Sequence, residues 1–139
     1  MRVWKPFWVL SLLLATASSV AADQDFVRGR LFPPDVITQH RQALKLTDRQ
    51  SEAIRDVIRG SQSEVMGLRW DMMSTMDAVT ALLDEATVDE DGVAAQVEAL
   101  LKLENAVKLE QIRMLIRIRN VLTPEQVSYL RSATGANDG

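Results

Sequence analysis

The chain predicts an all-α fold: an elongated antiparallel hairpin of two long helices with short helices at each end. Three observations carry this expectation. No proline lies between Asp35 and Thr123, and that span is rich in the helix formers Ala, Leu, Glu, Arg and Gln. Apolar or small residues recur there at steps of three and four along two separate stretches. Once the first 22 residues are set aside, only Phe26, Phe32, Trp70 and Tyr129 remain as aromatics, too few for an aromatic-cored β-sandwich.

The first 22 residues read as a cleaved secretory signal. Arg2 and Lys5 precede an apolar run from Phe7 to Ala17, and Ser18-Ser19-Val20-Ala21-Ala22 supplies the small-residue end. Cleavage after Ala21 or after Ala22 fits equally. The alternative of an uncleaved anchor meets a run too short to span ~30 Å of hydrocarbon. Removing Arg2 and Lys5 with this leader leaves 14 basic and 19 acidic side chains. That balance gives no reason to expect nucleic acid. The expected compartment is the periplasm, and a chain without cysteine has no thiols to misconnect there.

Residues 23–34 read as a flexible arm, and 35–132 as one helical domain. Pro33-Pro34-Asp35 is a start signal, with Asp35 expected to cap a first helix running to about Leu44. Leu46-Thr47-Asp48-Arg49-Gln50 opens the second helix with a capping box, Thr47 at the N-cap and Gln50 three residues on. From there Ile54, Val57, Ser61, Val65, Leu68, Met72, Thr75, Val79 and Leu82 form one stripe, and a helix over 48–86 would be about 58 Å long. Thr87-Val88-Asp89-Glu90 is read as another capping box. The third helix follows with Val93, Val97, Leu100, Glu104, Val107, Gln111, Met114, Ile118 and Val121 as its seam. Within it, Glu98/Lys102 and Glu104/Lys108 have the favourable order for i,i+4 pairing. Leu122-Thr123-Pro124-Glu125-Gln126 repeats the earlier opening, with Pro124 at the first helical position, and starts a short helix to about Ser132. Residues 133–139 read as a disordered tail.

Two copies of Leu-Thr-x-x-Gln, each opening a helix in a proline-poor chain with an export signal, resemble the LTxxQ-motif family of periplasmic proteins. That family takes in the Spy/CpxP-like chaperones and related heavy-metal resistance and sensor proteins. The resemblance implies a thin, curved all-α protomer pairing into a cradle-like homodimer. It also implies one of three roles: recognition of partly unfolded envelope proteins, modulation of envelope stress signalling, or metal binding. Leu46, Thr47, Gln50, Leu122, Thr123 and Gln126 match the motif, with an architectural role. The first expectation is therefore an ATP-independent periplasmic chaperone, and the alternative is a stress- or metal-responsive regulator acting on the periplasmic domain of a membrane sensor.

The helices carry more apolar positions than one seam each can bury. Beside the first stripe stand Ile58, Met66, Met73, Met76 and Leu83; beside the second stand Leu101, Leu103, Leu109, Ile112, Leu115 and Ile116. The short helices, a second copy of the chain, or client segments are the three candidates to cover them. The cluster Met66, Met72, Met73 and Met76 near Trp70 suits either core filling or an adaptable surface. Arg55, Arg59, Arg113 and Arg117, with Arg69, Lys102, Lys108 and Arg119, are either solvated faces or part of a cationic, apolar-dotted client surface.

Metal chemistry meets a poor inventory, since His40 is the one histidine and there is no cysteine. His40 with a carboxylate such as Glu64 is the weak candidate, and the expectation is no metal and no cofactor. The acidic run Asp84, Glu85, Asp89, Glu90 and Asp91 lacks the spacing of a calcium loop. No nucleophile constellation, phosphate loop or paired-carboxylate motif stands out, so an enzyme is not expected.

Overall fold

In a computed structural model, residues 27 and 29–135 are described, and they form helices with no strand among them. The proposed leader lies outside the described residues, as do 23–26 of the arm and 136–139 of the tail. In order, α1 spans Pro34–Gln39, α2 Arg41–Leu44, α3 Asp48–Leu83, α4 Glu90–Val121 and α5 Pro124–Ala133. The all-α hairpin stands: α3 and α4 pack along their lengths, joined by a short polar loop. No helix among the described residues is long and apolar enough to cross a membrane.

Several boundaries differ from the sequence reading, each for a local reason. The first helix is capped at Pro33 and not by Asp35, because Pro34 already occupies the first helical position; Asp35 then lies in the first turn, where a negative charge faces the positive end of the helix. That helix stops at Gln39, and His40 breaks it from the four-residue α2. Lys45 follows in a left-handed conformation (φ 48°), an uncommon one for a residue with a β-carbon, and turns the chain sharply into α3. The second helix ends at Leu83 and not Ala86, giving a length of about 54 Å.

The box at Thr87 does not form. Asp89 is the N-cap of α4, without a side-chain cap bond, and its carboxylate folds over Gly92, where a β-carbon would lie 2.6 Å from Asp89 Oδ2. Residues 29–34, expected in the loose arm, are docked: Phe32 is only 2% exposed, and Arg131 Nε donates to the Gly29 carbonyl at 3.3 Å.

Every position of the α3 stripe is buried or half-buried, as its spacing predicts. The α4 seam is rotated by one residue in its middle. Gln96, Leu103 and Glu110 turn inward, while Val97, Glu104 and Gln111 are exposed. A strict seven-residue repeat drifts about 20° per heptad on a straight helix, so one four-three register cannot mark the contact over all nine turns. Leu103 replaces Glu104 in the seam, which is the cheaper burial. Glu110 is the exception, at 6% exposure, and its carboxylate accepts from Arg117 at 2.9 Å. The i,i+4 pairs expected on α4 do not close; among the described residues the helices instead form Arg59–Asp56 and Arg117–Glu110.

The main core sits at the open end of the hairpin, away from the connecting loop. Phe32, Ile37, Leu44, Ile54, Ile118, Leu122, Val127 and Leu130 make one cluster there, with Val57, Ile58, Met114 and Val121 packed against it. The terminal helices are thus spent on this base and leave the outer two-thirds of α3 and α4 to each other.

Candidate functional site

The two Leu-Thr-x-x-Gln segments meet. Each builds its own capping box: Thr47 Oγ1 accepts from the Gln50 amide at 3.1 Å and Thr123 Oγ1 from the Gln126 amide at 3.3 Å. In return, Gln50 Oε1 accepts from Thr47 N at 3.1 Å and Gln126 Oε1 from Thr123 N at 2.9 Å. The carboxamide nitrogens then cross over. Gln50 Nε2 donates to Gln126 Oε1 and to the Val121 carbonyl, both at 2.9 Å. Gln126 Nε2 donates to Gln50 Oε1 at 3.3 Å and to the Leu44 carbonyl at 2.9 Å.

Leu44 and Val121 end α2 and α4, so their carbonyls belong to the set that a helix leaves unpaired. Each glutamine thereby caps the start of its own helix and closes the end of the helix that precedes the other motif. The left-handed turn at Lys45 is what leaves the Leu44 carbonyl facing Gln126. Leu46 and Leu122 flank this pair from the core side, half-buried and buried respectively. The motif residues form a clasp, with nothing reactive in it.

The surplus apolar residues stay on the surface. Met66, Met73, Met76, Leu83, Val97 and Leu101 are between 38% and 58% exposed, and Trp70 is 62% exposed. Successive helix positions are 100° apart, and in an antiparallel pair of right-handed helices, residues just clockwise of the seam project from the same face of the hairpin. Met66, Met73 and Met76 of α3 and Val97, Leu101, Ile112 and Leu115 of α4 fall on that one face, with Arg55, Arg69 and Lys108 among them. Consistent with this, Arg69 and Met72 share a shallow depression with Glu104, Val107 and Lys108.

The residues singled out from sequence therefore divide. Arg55, Met66, Met73 and Met76 project from the methionine face. Ile58, Ile112 and Leu115 lie on it too but are half-buried, Ile58 against the core. Arg59 sits at its outer edge, bonded to Asp56, and Ile116 points away from α3. Arg113 and Arg117 emerge on the opposite face.

His40 is taken up elsewhere. Its ring meets Tyr129 edge-on at 5.8 Å, with Nδ1 3.5 Å from the Tyr129 hydroxyl, bridging the α1–α2 joint to α5. Among the described residues no group of three or more His, Cys, Asp or Glu is placed to hold a metal ion. The donor chemistry of the described residues, with His40 engaged by Tyr129 and no cysteine in the chain, does not fit a transition-metal centre. Glu125, in the first turn of α5, has its carboxyl held below the usual range by its own backbone N–H and then by Thr123, against a smaller opposing effect of burial.

The described residues make a clasped, all-α hairpin with apolar side chains exposed on one face. The chain belongs to the heavy-metal resistance family, whose model matches residues 9–128. This is the LTxxQ, Spy/CpxP-like group, typically periplasmic. No individual curated protein and no solved structure matches the chain.

Proposed function

We propose that this protein is an ATP-independent, chaperone-like holder of non-native polypeptides in the periplasm, acting without catalysis. The observation that supports this reading is the methionine face: Met66, Met73, Met76, Val97 and Leu101 are open on one side of a hairpin whose terminal helices are committed to its base. Met side chains repack around different shapes, and Arg55, Arg69 and Lys108 bring long apolar stems with charged heads. Such a surface favours weak, plural contacts over one rigid partner.

The test is suppression of aggregation of several thermally unfolding model enzymes by stoichiometric protein. The Met73→Asp/Leu101→Asp double variant is expected to need at least about fivefold more protein for the same protection, compared at a temperature where both proteins are folded, since two mid-helix Asp residues cost about 1 kcal/mol of helix propensity at these more than half-exposed positions. Full protection by that variant would overturn the assignment of the face.

Family membership favours a second reading, a stress- or metal-responsive regulator that binds a membrane sensor. Micromolar capture of one sensor domain, without general protection of unfolded enzymes, would select it.

A further inference from the structure

Where α4 hands over to α5, at the base of the hairpin, the two helices border an open cleft of about 370 Å³. Leu122 and Val127, both buried, make its floor. Arg119 and Asn120 reach it from the last turn of α4, Ser128 and Arg131 from α5. Among the described residues no carboxylate lines it, in a chain with 19 acidic side chains against 16 basic.

A helix favours a cation in its last turn, so α4 and α5 each account for one arginine taken alone. They do not account for two like charges bordering one cleft with no acid between them. Nor does the fold use these groups up. Arg131 spends Nε on the Gly29 carbonyl at 3.3 Å, which ties its side chain to the docked segment and leaves both terminal amines unbonded among the described residues. Arg119, half-buried, closes no hydrogen bond or ion pair among the described residues. Glu125, the carboxyl nearest to both along the chain, is held by its own backbone N–H and by Thr123.

We propose that this cleft binds a phosphate monoester or inorganic phosphate. Such a group carries close to two negative charges at neutral pH and three strong acceptor oxygens, which matches two guanidinium groups set on different helices. The Ser128 hydroxyl and the Asn120 carboxamide add donors for the remaining lone pairs. A carboxylate has one charge and is satisfied by a single bidentate arginine, so it would leave the second cation unmatched. The apolar floor suits the part of the ligand that carries no charge, and the open mouth admits a phosphate attached to a larger body, such as a lipid headgroup. The cleft lies apart from the methionine face, and the assignment does not depend on the client-holding reading.

Titration of inorganic phosphate into the isotope-labelled protein, followed by amide NMR shifts at low salt, reads the outcome. Saturable shifts are expected at residues 119–131 with a Kd of about 1 mM, the strength of a few charge-assisted hydrogen bonds in an open site. Arg119→Gln should weaken binding by about tenfold or more. Ser128→Glu should do the same while leaving both arginines in place, because it puts a carboxylate into the cleft. Lys102→Gln, about 25 Å away along α4, removes the same charge and should change the Kd by less than about twofold. Flotation with phosphatidylcholine vesicles, with and without phosphatidic acid, identifies the source. Uptake by the phosphatidic acid vesicles of the parent but not of Arg119→Gln assigns the phosphate to a lipid headgroup; no uptake, with phosphate bound in solution, assigns it to a small soluble phosphate. Absence of saturable shifts up to about 20 mM phosphate, shifts centred away from residues 119–131, or binding by Arg119→Gln and Ser128→Glu as tight as the parent's would each overturn the proposal. Aggregation assays on the same variants report client holding separately, so one reading can fail while the other stands.

Discussion

Removing one half of the glutamine clasp should cost far more than removing an ordinary helix cap. Gln50→Ala deletes the acceptor for Thr47 N, the donation to the Val121 carbonyl and the two-way exchange with Gln126. The cap on Thr47 is exposed and replaceable by water, worth about 0.5–1 kcal/mol. The bonds to Val121 and Gln126 are part-buried and net about 1 kcal/mol each. The expected loss is therefore about 2–3 kcal/mol, a fall in Tm of roughly 10–20 °C for a domain of this size.

Gln126→Ala should match it, since it frees the Leu44 carbonyl in the same way. The informative measurement is the double-mutant cycle by urea denaturation. With both side chains gone the shared exchange is lost only once, so the double variant should fall short of the sum by about 1 kcal/mol or more. Gln50→Glu separates the two jobs: it keeps the capping acceptor and loses both donations, placing a carboxylate against two oxygens. Its deficit should equal or exceed that of Gln50→Ala at pH 7 and shrink toward pH 4 as the carboxyl regains a proton. Strict additivity, or single losses below about 0.5 kcal/mol, would refute the clasp as a unit of stability.

Two further substitutions probe the helix starts. Glu125 has a folded-state pKa below its unfolded value, so its contribution is present above the ordinary glutamate range and is lost as pH falls through the lowered pKa. Gln in place of Glu125 should accordingly lower Tm at pH 7 and leave it unchanged near pH 3; a deficit of the same size at both pH values would contradict the charge-based account. Gly92→Ala should raise stability by up to about 1 kcal/mol in urea titrations, because the atoms it would crowd belong to the exposed Asp89 carboxylate, which makes no cap bond and has room to swing aside. Destabilisation by that change would mean the Asp89 conformation matters more than its lack of cap bonds implies.

The helix starts at Asp48 and Pro124 were legible because a capping box is local: Thr and Gln at fixed spacing satisfy donors within one turn. The clasp was not, although the residue type held a clue. Glutamate at Gln50 or Gln126 would cap as well; only a carboxamide brings two donors, and finding two such groups calls for acceptors beyond the local turn. Nothing in sequence spacing says that those acceptors are the carbonyls of Leu44 and Val121.

The docking of Phe32 was hidden for a similar reason. Its neighbours Arg28, Gly29 and Arg30 read as solvent-loving, and only the tertiary fit shows the aromatic side chain filling the base. On α4 the alternating four-three pattern admitted two registers one residue apart, and the polar Glu110 gave no sign that Arg117 would make its burial tolerable. On the candidate surface, the apolar surplus was plain from composition, whereas its division between two faces required the pairing of α3 with α4. That pairing moved Arg113 and Arg117 away from Arg55 and Met73.

Because the core, the terminal helices and both glutamines all fasten the end of the hairpin away from the loop, the molecule is tied twice: by a packed base at one end and by the Asp84–Asp89 bend at the other. Between those ties each turn of α3 is held by α4 alone, through an α3 seam in which Ser61 and Val79 are buried and the other positions half-buried. Local opening is therefore least costly in that span, and it leaves the clasped base intact.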